Sequence, residues 1–339
     1  MPPTYTRFSI HTATAICFLL IVFFFINKGA PLLSFVTTEQ IQSFKTIFIS
    51  IILEAIPFVL LGVLLSALLQ SFVSEETIRR WIPSNPLLGI IFACLLGIIF
   101  PVCECGMIPV VRRLILKGVP VYLAVVFILT GPIINPIVFS ATYLAFRNYP
   151  AMAYSRMGLA FAAAAVIGLL LYRFLKSNPL RNSREHLSSH SSTEGHQHQH
   201  QHQHQGSKLT TLFSHAADEF FEMGKFLVFG SMMAALIQIF MHRESLVAIG
   251  QGPLSSHIFM MGFAYVVSLC STSDAFVASS FQSTFSMGSL LTFLVIGPML
   301  DFKSTLMLLS VFKTKFVLVL SMLIAVTVLA GSLLWEVLG

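Results

Sequence analysis

The sequence predicts an all-α, polytopic membrane protein with about 8–9 transmembrane helices, built as two internal repeats with broken or re-entrant helices at the repeat interface. Three observations predict this. Of 339 residues, 56% are hydrophobic and only 10% are charged, a balance that a water-soluble globule cannot bury. Apolar runs long enough to cross about 30 Å of hydrocarbon recur along the chain. Residue types that are rare in lipid also return in the same order in both halves: Gln70 and Gln238 are 168 residues apart, Cys103 and Cys270 167, and the Gly131-Pro132 and Gly297-Pro298 pairs 166.

Nine runs qualify as spans: 8–26, 47–73, 86–102, 119–146, 154–174, 220–241, 257–281, 288–312 and 314–336. The first follows Arg7 and is followed by Asn27-Lys28-Gly29-Ala30-Pro31, which lacks the A-x-A spacing of a signal-peptide cleavage site, so it reads as a retained helix. The expected organisation is an N-terminal helix outside the repeat (1–44), a first repeat (45–175), a disordered His-rich linker (176–208) and a second repeat (209–339). Phe58, Gly62 and Glu54 in the first repeat answer to Phe226, Gly230 and Glu222 in the second. Duplicated apolar chains with helices broken at matching places are how many secondary transporters hold substrate between their halves. Glu54 and Glu222 read as solvated residues nearer the ends of their spans.

In the linker, His and Gln alternate through His196, His198, His200, His202 and His204. Such a strip buries nothing. Imidazoles ligate Zn, Ni and Cu, so loose metal collection and a plain polar spacer both remain open. The net charge of +6 suits Lys and Arg at membrane edges; with no basic patch interleaved with aromatics, nucleic acid is not an expected partner. Lys and Arg in the linker and after Cys103 place that face in the cytoplasm, while Arg79, Arg80, Lys313 and Lys315 pull the other way.

Two pairs of segments carry the chemistry. Pro101 breaks one helix, Gly106 lets the chain turn, and Cys103-Glu104-Cys105 lies between them. Irregular backbone at membrane depth survives only where it lines a cavity or is buried in protein. A Cys-x-Cys pair offers soft sulfur ligands, and Cys270, Ser271, Thr272 and Asp274 in the second copy add a thiol, two hydroxyls and a carboxylate. If the kinks meet, three sulfurs and Glu104 or Asp274 surround one midplane site. Small residues also pack where helices approach closely, but intramembrane carboxylates default to functional candidates. In the second pair, Gly131-Pro132 and Gly297-Pro298 are hinges that free carbonyls, and Asn135 and Asp301 occupy equivalent places. Those two residues can bind substrate, a cation or a proton; Lys303 can instead neutralise Asp301. Cys17 and Cys94 lie in apolar helical stretches and read as small core residues.

No Walker, dinucleotide-binding or HExxH motif occurs in the sequence. ATP hydrolysis is therefore not expected, nor is any cofactor or enzymatic activity. The sequences Pro-Val-Cys-Glu-Cys-Gly at 101–106, Thr-Gly-Pro-Ile-Ile-Asn-Pro at 130–136 and Cys-Ser-Thr-Ser-Asp-Ala-Phe at 270–276 resemble a broad family of bacterial predicted permeases that includes the organoarsenical efflux permeases. The resemblance runs from about Lys45 to the C-terminus, outside the linker. It implies a multi-pass protein of the bacterial inner or plasma membrane. In the arsenical exporters it implies efflux of trivalent methylated or aromatic arsenicals through cysteines. For other members it implies one half of a two-component permease with a separate partner, a second membrane subunit or a surface-exposed one.

The expected function is thus a secondary transporter, or the membrane subunit of a two-component permease, for a soft metal or metalloid carried as a small inorganic or organometallic species. Cys103, Cys105 and Cys270 engage the substrate, while Glu104, Asp274 and Asp301 manage charge. Two alternatives stay open: a thiol/disulfide oxidoreductase using Cys103 and Cys105, and a non-transporting membrane subunit of a complex.

Overall fold

A computed structural model describes residues 38–72, 76, 82–83, 85–99, 103–175, 179–180, 208–240 and 252–338. The expected helix at 8–26, the hinge Pro101, Arg79, Arg80, and the imidazoles His196, His198, His200, His202 and His204 lie outside them. Among the described residues the chain is helical, with no strand beyond an isolated bridge between Leu180 and Phe312. The helices are α1 (Thr38–Phe72), α2 (Pro86–Ile99), α3 (Glu104–Leu116), α4 (Val121–Thr130), α5 (Pro136–Ala145), α6 (Ala151–Phe174), α7 (Lys208–Phe240), α8 (Pro253–Val267), α9 (Ser273–Ser279), α10 (Met287–Met299), α11 (Phe302–Val311) and α12 (Thr314–Leu338).

Five stretches are long and apolar enough to cross a membrane, and shorter apolar helices fill the space between them. The expected runs 119–146, 257–281 and 288–312 are each interrupted, as α4/α5, α8/α9 and α10/α11, and α2 and α3 flank the Cys103 kink. A ten-residue helix is about 15 Å long, half of what a span requires, so a piece of that length does not span a membrane alone. The two pieces of a pair do not pack side by side.

Polar residues set the breaks. Asn135 caps α5, its Oδ1 accepting from Val138 N at 2.9 Å, and Pro136 takes the first helical position where no N–H is needed. Asp301 caps α11 in the same manner, accepting from Ser304 N at 2.6 Å while Ser304 Oγ accepts from Asp301 N at 3.1 Å. Helix α8 ends on Ser268 in the left-handed region, φ 50°.

The halves meet along several seams. Helix α1 packs on α7 and α6 on α12. The helix that follows Cys103, α3, packs on α11, and the helix that follows Cys270, α9, packs on α5. Helices α10 and α11 form the centre: 72% of that stretch is buried, against 28% for α1 and α12, whose exposed leucines and valines suit contact with lipid.

Candidate functional site

Residues from both halves line a cavity of about 30 Å³, enough to admit water. Ile51, Glu54, Ala55 and Phe58 come from α1, Cys103, Glu104 and Cys105 from the start of α3, Ser268, Leu269 and Cys270 from the α8/α9 break, and Lys303 from α11. The three expected thiols and Glu104 are therefore brought together. Ser271, Thr272, Asp274 and Asn135 do not line this cavity, and Asp301 reaches it only through Lys303.

The local backbone explains how these groups come to face one space. Cys103 is the N-cap of α3; the N–H groups of Gly106 and Met107 close on its carbonyl, and its thiol makes no capping bond. Pro109 inside α3 has no N–H for the Cys105 carbonyl, which loosens the helix beside the site. Gly106, expected at the turn, lies inside the first turn of α3 instead. Its backbone touches Gly62 of α1 so closely that a Cβ at Gly62 would overlap it. In the other half, a Cβ on Gly230 would stand 3.2 Å from Lys303 Cα. The hinge glycines and prolines are offset from the breaks as well: Gly131 and Pro132 follow α4 directly, but Gly297 and Pro298 lie within α10, and the chain departs from the helix at Leu300–Asp301.

Two buried charge clusters lie at and beside the cavity. In the first, Lys303 Nζ stands 3.3 Å from Glu104 Oε1 and 3.8 Å from Asp301 Oδ2. Glu104 Oε2 and Asp301 Oδ2 make no hydrogen bond. Cys105 Sγ lies 4.0 Å from Glu104 Oε1, and Thr272 Oγ1 lies 3.6 Å from Cys270 Sγ. Glu54, expected nearer a span end, sits near the middle of α1, 3.5 Å from Ser273 Oγ. In the second cluster Arg156 of α6 donates to Asp274 Oδ2 at 2.7 Å and to Thr142 Oγ1 at 2.8 Å, with both charged side chains fully enclosed.

Arg156 is a residue that the sequence reading missed. Its signal was there, a lone guanidinium within an apolar span. The Glu104–Lys303 pairing was missed too, because Lys303 was weighed only against its neighbour Asp301. Among the described residues no three His, Cys, Asp or Glu side chains form a group able to hold a metal ion. The thiols share a cavity without forming a ready-made metal cage.

A family described as "Predicted permease" matches residues 40–337. A Bacillus subtilis (strain 168) protein named "UPF0718 protein YcgR" is 51% identical over 290 residues, 86% of this chain and 96% of that protein. A Streptococcus mutans serotype c protein, described as a candidate subunit of a two-component membrane permease complex, is 40% identical over 274 residues, 80% of this chain and 88% of that protein. No solved structure matches. Helices fit to span a bilayer, a cavity lined in part by thiols and charged groups from both halves and a family match over nearly the whole described chain agree: the chain belongs to this predicted-permease family and is a multi-pass permease of the cell membrane.

Proposed function

We propose that this permease moves a thiophilic metal or metalloid species, with Cys103, Cys105 and Cys270 as the groups that engage it. The observation that carries the reading is the meeting of the two cysteine segments, 167 residues apart in sequence, on one cavity. Soft sulfur favours ions such as Cu(I), Zn and trivalent arsenic over Mg or Ca. Because no three-ligand group stands assembled, the sulfurs close on the substrate as it binds, which suits a carrier that must also let go.

Each half passes through the same succession of a long helix, two broken helices and a second long helix. We take these as duplicated repeats, 45–175 and 209–339, whose rocking alternates access to the cavity. Efflux is the direction implied by the resemblance to arsenical exporters. The description of the Streptococcus mutans relative supports a second subunit working with this chain. The imidazoles His196, His198, His200, His202 and His204 would gather metal loosely for the permease.

Transport into everted vesicles, with Zn²⁺, Cu⁺, arsenite and methylarsenite as the panel, tests the reading. A substrate of the thiol site loses at least about ten-fold in rate on Cys103→Ser or Cys270→Ser. Equal movement of every panel member in wild type and variants removes the thiols from the mechanism.

A further inference from the structure

The most unusual group in the cavity is a cation. Lys303 is 4% exposed and its ammonium lies between two carboxylates, Glu104 at 3% and Asp301 at 0%. Two acids against one base leave a surplus of negative charge, and one oxygen on each acid has no hydrogen bond. A buried carboxylate without a full complement of partners is costly, so this cluster is built to take another positive charge. Cys103, Cys105 and Cys270 line the same cavity as Glu104 and Lys303. A thiophilic cation drawn to those sulfurs therefore meets Glu104 as the nearest buried acid, and meets the ammonium that already holds it.

We propose that Lys303 is the resident counter-ion of this cavity: it holds Glu104 in the empty carrier, and an incoming thiophilic cation takes that carboxylate over, leaving Lys303 on Asp301. This rests on the thiol-site reading and specifies its substrate as a cation. The exchange has a mechanical consequence. Glu104 opens α3 in the first half and Lys303 belongs to α11 in the second, so binding releases a tie between the halves and departure of the cation restores it. Occupancy is thereby coupled to movement.

The test measures Cd²⁺ binding by calorimetry on the purified full-length chain in nanodiscs, and Cd²⁺ transport in proteoliposomes. Lys303→Met removes the competitor, so Cd²⁺ affinity rises at least ten-fold. Turnover falls at least ten-fold, because the empty carrier has lost the charge that reseats Glu104. A purely structural lysine would not move affinity and turnover in opposite directions. Should Lys303→Met fail to fold, Glu104→Gln serves: it keeps the Lys303–Asp301 pair and lowers Cd²⁺ affinity at least ten-fold. Unchanged or weaker Cd²⁺ binding by folded Lys303→Met, or unchanged binding by Glu104→Gln, overturns the counter-ion role while loss of binding in Cys103→Ser leaves the thiol site standing. Cd²⁺ binding that survives both Cys103→Ser and Cys270→Ser overturns the thiol site itself, and the counter-ion role with it.

Discussion

Lys303 Nζ lies 3.3 Å from Glu104 Oε1, and this bond ties α11 of the second half to α3 of the first with both side chains almost wholly out of solvent. Removing one partner of a buried pair strands the other, at a cost of about 3–5 kcal/mol. Lys303 serves Asp301 as well, so Lys303→Met strands two carboxylates whereas Glu104→Gln strands none. Thermal unfolding in detergent should therefore rank Lys303→Met as the more damaging, and Glu104→Gln/Lys303→Met should recover only part of the loss because Asp301 stays uncompensated. A full recovery would mean that Asp301 finds its partner elsewhere.

That the apolar runs around Asn135 and Asp301 break into half-helices was legible from the sequence. The two residues themselves read as binding groups, and the structure gives them the local task of receiving the first N–H groups of a new helix. Cys103 and Cys270 were legible for a different reason, since the two halves present them at one offset and the cavity brings them together. Partners supplied from a distance were not. Arg156 and Asp274 are 118 residues apart, and nothing in the chain around either names the other. Gly106 was recognised as special, but its role is to lie against Gly62 of another helix. A one-dimensional pattern cannot separate a turn from a close approach.

Asp274 was expected at the substrate, and the structure gives it a different neighbour. Its Oδ2 takes a 2.7 Å bond from Arg156, which also holds Thr142, so α9 is pinned to α6 and α5. Asp274→Ala should then lower stability by about 3–5 kcal/mol, with Arg156→Met at least as harmful. In whatever fraction folds, Cd²⁺ affinity should stay within about two-fold of wild type, since Asp274 does not line the cavity. A large loss of affinity at unchanged stability would return Asp274 to the substrate site.

Gly62 sets the distance between α1 and α3. A methyl group there would meet the Gly106 backbone, which cannot rotate aside as a side chain can. Overpacking of this kind costs about 1–3 kcal/mol, and α3 must shift to relieve it. Because Cys103, Glu104 and Cys105 sit at the head of α3, the shift reaches the cavity. Gly62→Ala should reach the membrane in near-normal amount yet transport at least about ten-fold more slowly, as compared by immunoblot and vesicle assay. Normal transport would place the flexibility of this contact above its geometry.

The far end of α3 carries two ion pairs to α7 that look alike in sequence and differ in surroundings. Glu219 is 4% exposed, and its Oε2 accepts from Ser66 Oγ at 2.9 Å and from Arg113 at 3.5 Å. Glu222 meets Arg112 at 3.2 Å, but its side chain is 43% exposed. Water competes for the second pair and hardly for the first, so Glu222→Ala should cost less than about 1 kcal/mol. Glu219→Ala leaves Arg113 and Ser66 short of an acceptor and should cost about 1–3 kcal/mol. Exchanging the charges, Arg113→Glu with Glu219→Arg, should recover at least half of what either single change loses in melting temperature. If the exchange recovers nothing, the attraction between α3 and α7 comes from the packed side chains around the pair, and the charges only fix its register.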